Sequence, residues 1–137
     1  MTVVGVEFEK FTGGPVKPSA SRMHATIGRG GRIHLNSNLM KRLGHPEAVW
    51  LFFNRRTQQI AVQSTSIRMP EAFPVIKPKK QSTLYINAAS FCGHFGIKIR
   101  QTHRFTDPHF STDGKLILDL NKTVIVSRAS KRSSKEI

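Results

Sequence analysis

The stretch ATIGRGGRIHLNSNLMKRLG, from Ala25 to Gly44, contains the pattern that decides the fold. It consists of a short apolar strand, a turn rich in glycine and arginine, a second short strand, an Asn and a helical segment that ends at Gly. Asn favours a helix N-cap because its side chain accepts a hydrogen bond from an early backbone N–H, and Gly tolerates the left-handed conformation that ends helices. The stretch therefore predicts a hairpin followed by a helix of about two turns.

A weaker copy of this stretch, FPVIKPKKQSTLYINAASFCGHFG, runs from Phe73 to Gly96. With two residues inserted in its turn and one in its helix, Ile27 aligns with Ile76, Ile33 with Leu84, Leu35 with Ile86, Asn36 with Asn87 and Gly44 with Gly96. Neither copy buries enough apolar surface to fold alone, so the two must share a core. Interleaving the copies would close the sheet and remove exposed strand edges.

The remaining strands follow from the alternation of apolar and polar residues. In the first repeat, 48–53 and 59–63 predict a hairpin, and in the second, 97–105 and 115–120 predict the corresponding one, joined by the loop 106–114. Strands are also expected at 3–9 and 123–127, and these two could pair. We expect one domain over residues 1–128, made of two repeats at about 22–63 and 73–120 plus an N-terminal strand, followed by a disordered basic tail at 129–137.

The charge of the chain points to a polyanionic partner. The sequence has 22 Lys and Arg against 8 Asp and Glu, which gives a net charge of +14. The segments 10–46 and 72–106 contain basic residues and no acidic one, whereas a surface that serves only solubility usually mixes both signs. Nucleic acid is the expected partner.

The cysteine content and the N-terminal sequence indicate the cellular compartment of the protein. Cys92 is the single cysteine, so an intrachain disulfide is excluded and a reducing compartment is indicated. The first ten residues lack a leading positive charge, Glu7 and Glu9 interrupt their apolar pattern, and no stretch approaches the length of a membrane span. We expect a cytoplasmic protein with no membrane association.

The segment 25–63 resembles the swapped-hairpin barrel of the AbrB and SpoVT DNA-binding family, and the tandem arrangement is similar to the MraZ branch of that superfamily. Residues at the family's positions are Gly31, Arg32, Ile33, Leu35, Leu39, Leu43 and Gly44. The chain departs from the family at Asn36 and Asn87, where Pro is usual, at Gly28, where an acidic residue is common, and at Ala25 and Met40, where Arg is common. The resemblance implies a mostly β fold with short helices, namely a pseudo-dimeric swapped-hairpin β-barrel built from two βαββ-like repeats.

The resemblance and the basic turns together predict which residues bind nucleic acid. Turn arginines can reach phosphates or a guanine edge, and lysines recur at the matched place in the second copy. Basic residues on the first helix and before the first strand of this repeat would extend the same face. The predicted binding residues are Arg22, Arg29, Arg32, Lys41, Arg42, Lys77, Lys79 and Lys80. Arg55 and Arg56, in the later hairpin turn, are expected to serve solubility.

Other candidate chemistry is weighed lower. Trp50, Phe52 and Phe53 could stack on single-stranded bases, but in their apolar run they are expected to be core, as are Leu39, Met40 and Leu43 on the helix. Cys92 is expected to fill the core rather than act as a nucleophile. His94, His103, Asp107 and His109 could hold a metal, yet their spacing fits no known signature. No metal, cofactor or catalytic residue is predicted.

The sequence therefore predicts a non-enzymatic, sequence-dependent duplex DNA-binding protein that acts as a transcriptional regulator. An RNA-binding or ribosome-associated module on the same barrel is the main alternative. A metal-dependent nuclease that uses His103, Asp107 and His109, and a structural assembly protein, are further alternatives. The sequence leaves self-association open.

Overall fold

The computed structural model describes residues 23–79 and 83–126. The predicted strand at 3–9, the predicted binding residues Arg22 and Lys80, and the predicted tail at 129–137 lie outside these residues. The described elements are β1 (Ala25–Ile27), a 3-10 turn (Arg29–Gly31), β2 (Arg32–Leu35), α1 (Ser37–Leu43), β3 (Ala48–Asn54), β4 (Gln59–Thr65), β5 (Phe73–Ile76), β6 (Leu84–Asn87), α2 (Ala89–Phe95), β7 (His103–Phe105), β8 (His109–Phe110), β9 (Leu116–Asp119) and β10 (Thr123–Ile125). The fold is mostly β with two short helices.

The ends of α1 are formed by the residues that the sequence indicated. The side chain of Asn36 accepts a hydrogen bond from the backbone N–H of Leu39 at 3.2 Å, and Gly44 ends the helix with a φ of 89°. In the second repeat, Gly96 ends α2 in the same way, but the N-cap is Ala88 and not Asn87. Asn87 precedes this N-cap by one residue, and its side chain still accepts a hydrogen bond from the Ala89 N–H at 3.3 Å.

The strands form one antiparallel sheet in the order β10-β7-β1-β2-β6-β5-β3-β4-β9-β8, and this sheet curls into a half-barrel. The hairpins β1–β2 and β5–β6, one from each repeat, meet at the centre, where β2 pairs with β6. On either side, β7 of the second repeat pairs with β1 of the first, and β3 of the first repeat pairs with β5 of the second. Among the described strands no pairing joins β8 to β10, so the expected closure of the sheet is not seen there.

The second predicted late hairpin is wrong. The strands within 97–105 and 115–120 do not pair with each other: β7 lies between β1 and β10, while β9 lies between β4 and β8. The loop 106–114 is long enough to contain the additional strand β8, which pairs with β9 instead. The strand predicted at 123–127 is β10, and its partner in the described sheet is β7.

One hydrophobic cluster contains residues of both repeats. Leu39, Met40 and Leu43 from α1 are buried in it together with Phe91 and Cys92 from α2, as the sequence predicted for α1 and for the cysteine. The prediction that the three aromatic residues of β3 are core holds only in part. Neighbouring residues of a strand point to opposite faces. Phe53 packs on Phe95, with 5.1 Å between the ring centroids. On the other face, Phe52 is 43% exposed and Trp50 donates its Nε1–H to the Pro70 carbonyl.

Candidate nucleic-acid interface

The register of the central strands defines a polar outer face on the sheet. Ile33 and Ile86 pair across β2 and β6 and point into the core, so the residues next to them point outward. One row of directly paired residues crosses five strands from β7 to β5. This row consists of Arg104, Thr26, His34, Tyr85 and Ile76. We call these five residues, with the neighbouring pair Arg32 and Asn87, the outer face.

Arg32 is held against the outer face by an aromatic ring. Its guanidinium carbon lies 4.6 Å from the centroid of the Tyr85 ring, a cation–π arrangement worth about 0.5 to 1 kcal/mol at an exposed site. Tyr85 also contacts the His34 ring, with 5.4 Å between centroids. Burial and, to a smaller extent, the charge of Arg32 lower the pKa of His34, so this imidazole is neutral at pH 7. The positive charge here therefore comes from arginine.

The two basic turns lie at opposite ends of the β2–β6 pair. Arg32 pairs with Asn87 at one end and Leu35 with Leu84 at the other, so Arg29 in the β1–β2 turn is separated from the β5–β6 connection by the length of β2. The two turns therefore lie apart along this strand pair. The strand pair is about 10 Å long, and with both turns the basic side chains extend over about 20 Å.

The predicted residues on α1 follow the end of β2 that is opposite to the first basic turn. α1 begins at Ser37, immediately after the end of β2 that adjoins the β5–β6 connection. Lys41 and Arg42 are both exposed in the last turn of α1, and at that turn the Leu43 carbonyl accepts a hydrogen bond from the Ser64 hydroxyl of β4. The expectation that Lys41 and Arg42 extend the same face as the turn arginines stays a prediction.

The cations of this region lack carboxylate partners. Among the Lys and Arg side chains that the structure describes, only Lys115 and Lys122 have a carboxylate oxygen within 4.0 Å, and both lie outside the outer face. The exposed cations without such a partner include Arg29, Arg32, Lys41, Arg42, Lys77, Lys79 and Arg104. The outer face itself contains no acidic residue.

Arg104 is a member of this surface that the sequence analysis missed. It is exposed on β7 and pairs with Thr26 of β1, which places it in the central row. In the sequence, the charged Arg104 next to the apolar Phe105 indicated that Arg104 lies at the surface. Its neighbour on β1 lies far away in sequence, so only the pairing reveals which surface it joins.

Arg55 and Arg56 lie in the turn between β3 and β4 and line a separate cleft of about 630 Å³ with Phe52 and Phe95. The guanidinium of Arg55 lies 5.0 Å from the centroid of the Phe95 ring. Neither arginine belongs to the outer face, and their expected role in solubility stays a prediction.

Two of the residues considered for a metal site, Asp107 and His109, lie close together, with 3.7 Å between Oδ2 and Nδ1. His103 contacts the Thr123 hydroxyl at 3.1 Å, and His109 contacts the backbone carbonyl of Asp107 at 2.9 Å. Within residues 23–79 and 83–126, no three His, Cys, Asp or Glu side chains are grouped as metal ligands would be. In the same residues, no helix has the length and apolar character that crossing a membrane requires.

Comparisons of the chain with protein-family models, with curated proteins and with solved structures found no match.

Proposed function

We propose that this protein is a non-catalytic, sequence-dependent DNA-binding protein of the transcription-regulator class, and that its outer face docks on duplex DNA. The observation that carries the proposal is the group of exposed Lys and Arg side chains, on the outer face and at both of its ends, that have no carboxylate partner among residues 23–79 and 83–126. Surface cations without a carboxylate partner gain little electrostatic stabilisation within the protein, so they are available to replace the counterions of a phosphate backbone.

The dimensions of the surface agree with a duplex target. Its basic side chains extend over about 20 Å, which corresponds to about six base pairs at 3.4 Å each. Ile33 and Ile86 point inward, and apart from Ile76 the outer face consists of polar and aromatic side chains that can contact a backbone. Arg29 and Arg32 would act at one end and Lys77 and Lys79 at the other, with Arg104 between them, and Lys41 and Arg42 would extend the surface from α1.

We further propose that the fold is an intramolecular swapped-hairpin pseudo-dimer of the AbrB and SpoVT type. The exchange of partners supports this arrangement, since β3 of the first repeat pairs with β5 of the second and β7 of the second repeat pairs with β1 of the first. A pseudo-twofold axis would then pass between β2 and β6. Such an axis would relate the two basic turns and would present similar, unequal halves to the DNA.

Binding to a fluorescently labelled duplex of 20 base pairs, measured by anisotropy over a series of salt concentrations, tests the proposal. Neutralising about six phosphates gives a slope of log K against log salt near −5. An absence of binding at low salt, or a slope near zero, would refute the proposal. Competition with duplex RNA of equal length distinguishes the RNA-binding alternative, because RNA would then displace the protein at lower concentration than DNA does.

The position of the interface is tested by two double variants that change the net charge equally. Arg29→Glu with Arg32→Glu should weaken binding far more than Arg55→Glu with Arg56→Glu, because only the first pair lies on or beside the outer face. Both variants lose the same amount of long-range attraction, so the difference between them reports the contact. Equal losses would place the interface elsewhere.

A further inference from the structure

A small cavity opens on the outer side of β1 and β2, at the end near the β5–β6 connection. Its volume is about 240 Å³, and it is lined by His24, Thr26, His34, Asn36 and Thr83. Thr26 and His34 are paired members of the central row, and Thr83 directly precedes β6. The cavity therefore lies within the surface that we propose to contact DNA.

One atom of the cavity is buried without a partner. Nε2 of His24 is shielded from solvent and makes no hydrogen bond. Buried polar atoms are nearly always paired, because leaving one unsatisfied costs the free energy of its lost hydration. An unpaired imidazole nitrogen in a residue that lines a polar cavity is thus a position where a bound group can supply the missing hydrogen bond.

The position of His24 is fixed by its backbone and not by its ring. Its N–H donates to Oδ1 of Asn36 at 3.2 Å, and its carbonyl accepts from the Asn36 N–H at 3.0 Å. The same Oδ1 atom caps α1 through the Leu39 N–H, so Asn36 connects the start of β1 to the start of the helix. Backbone hydrogen bonds to Asn36 therefore hold His24 in place, and Nε2 of its imidazole takes no part in them.

The lining has the chemistry of an anion site. Imidazole and hydroxyl side chains can donate hydrogen bonds, and none of the described residues that line the cavity carries a carboxylate. The surroundings are cationic: Arg104 pairs with Thr26, Arg32 lies two residues from His34 on the same face, and Lys77 and Lys79 are in the connection that contains Thr83. A phosphate presents only acceptor oxygens and carries negative charge, so it matches both the donors and the surroundings.

We propose that this cavity seats one phosphate group of the DNA backbone, with Nε2 of His24 and the hydroxyls of Thr26 and Thr83 as hydrogen-bond donors. The inference rests on the proposed function, since it takes the phosphate from bound duplex. A phosphate seat fixes the orientation of the duplex on the protein without reading its sequence.

The test compares His24→Phe with His24→Gln. Phenylalanine fills the volume of the ring but donates no hydrogen bond, so it should weaken binding to the 20-base-pair duplex about tenfold or more, as expected for a lost hydrogen bond to a charged group. Glutamine retains a donor and should restore part of the loss. His94→Phe, at an exposed position of α2, is the matched control and should bind as the wild type does.

Two further measurements separate a phosphate seat from a structural or base-reading role. Urea unfolding of His24→Phe should show unchanged or increased stability, because the variant removes an unsatisfied buried atom. Its loss of affinity should be equal on two duplexes of unrelated sequence, since phosphate contacts are independent of sequence. Loss of stability that accounts for the weaker binding, or a loss that differs between the two duplexes, would overturn the proposal.

Nuclear magnetic resonance of the imidazole nitrogens completes the experiment with the full chain. Duplex should shift the Nε2 resonance of His24, and inorganic phosphate should shift it in the same direction at much higher concentration, whereas equal chloride should not. Duplex binding with the expected salt slope but no change at His24 refutes the phosphate seat and leaves the proposed function standing. Failure of duplex binding together with a phosphate-dependent shift refutes the proposed function and supports a site for free phosphate instead, and no shift with either ligand overturns the site itself.

Discussion

Replacing Gly31 with alanine should destabilise the protein much more than the same replacement at Gly30. Both glycines have a φ of 81°, a conformation that costs an L-residue about 1 to 2 kcal/mol. At Gly30 a Cβ atom would meet nothing within 4 Å. At Gly31 it would lie 3.0 Å from Cα of Ala89, 3.1 Å from its nitrogen and 3.2 Å from the carbonyl carbon of Ala88.

The second penalty at Gly31 arises because the neighbouring atoms are backbone. A side chain could rotate away, but the start of α2 is held against the turn by the hydrogen bond from the Ala88 N–H to the Gly31 carbonyl at 2.9 Å. Forcing a methyl group into such a contact typically costs about 1 to 3 kcal/mol. We therefore expect a loss of about 1 to 2 kcal/mol for Gly30→Ala and about 2 to 5 kcal/mol for Gly31→Ala.

Equilibrium unfolding in urea measures both losses, provided that the m-value stays unchanged between the variants. The comparison isolates the packing of the first repeat's turn on the second repeat's helix, because the backbone strain is common to both positions. Equal destabilisation by the two substitutions would contradict the contact and with it the interlocking of the repeats at this end of the sheet.

Three further predictions concern the caps and two ionisable groups. Asn36→Ala should cost about 1 to 2 kcal/mol in urea unfolding because it removes the N-cap of α1, whereas Asn87→Ala should cost less, since α2 is capped at Ala88; the reverse order would contradict the assignment. Burial raises the pKa of the Cys92 thiol, so labelling by a disulfide reagent at pH 8 should be much slower in the native protein than in urea, and equal rates would be inconsistent with a buried thiol. The hydrogen bonds from Lys115 and Ser111 lower the pKa of Asp113 to about 2 from 3.8, so any stability that Asp113 contributes is present above pH 3.8 and is lost as the pH falls towards 2. Asp113→Asn should therefore flatten the dependence of unfolding on pH in that window. An unchanged dependence would show that the ion pair is not formed in solution.

Local structure could be predicted from the sequence because local rules decide it. The caps of α1 depend on Asn36 and Gly44 alone, and the β1–β2 turn requires the positive φ that Gly30 and Gly31 adopt at no steric cost. The inward positions of β2 follow from simple alternation. Each of these features is determined by residues within a few positions of one another.

Pairing between distant strands could not be predicted in the same way. Alternation predicted strands at 97–105 and 115–120, of which 103–105 and 116–119 are strands in the structure. Alternation does not specify a partner, and the order of the first repeat suggested the wrong one. The same limit applies to the candidate interface. The prediction placed Arg29 and Lys41 on one face. Arg29 precedes β2 and Lys41 lies in the helix that follows its other end, and the pairing of β7 with β1 adds Arg104.

The pairing of β1 with β7 also has a consequence for synthesis of the chain. Ile27 meets His103 in the sheet, so one edge of β1 stays without its neighbour until a further 76 residues have left the ribosome. At a translation rate of about 5 to 20 residues per second, that interval lasts roughly 4 to 15 s. Throughout it, the nascent first repeat carries an open backbone edge of the kind that recruits strands from other molecules. A ribosome that stalls between the repeats would therefore release a fragment prone to aggregate.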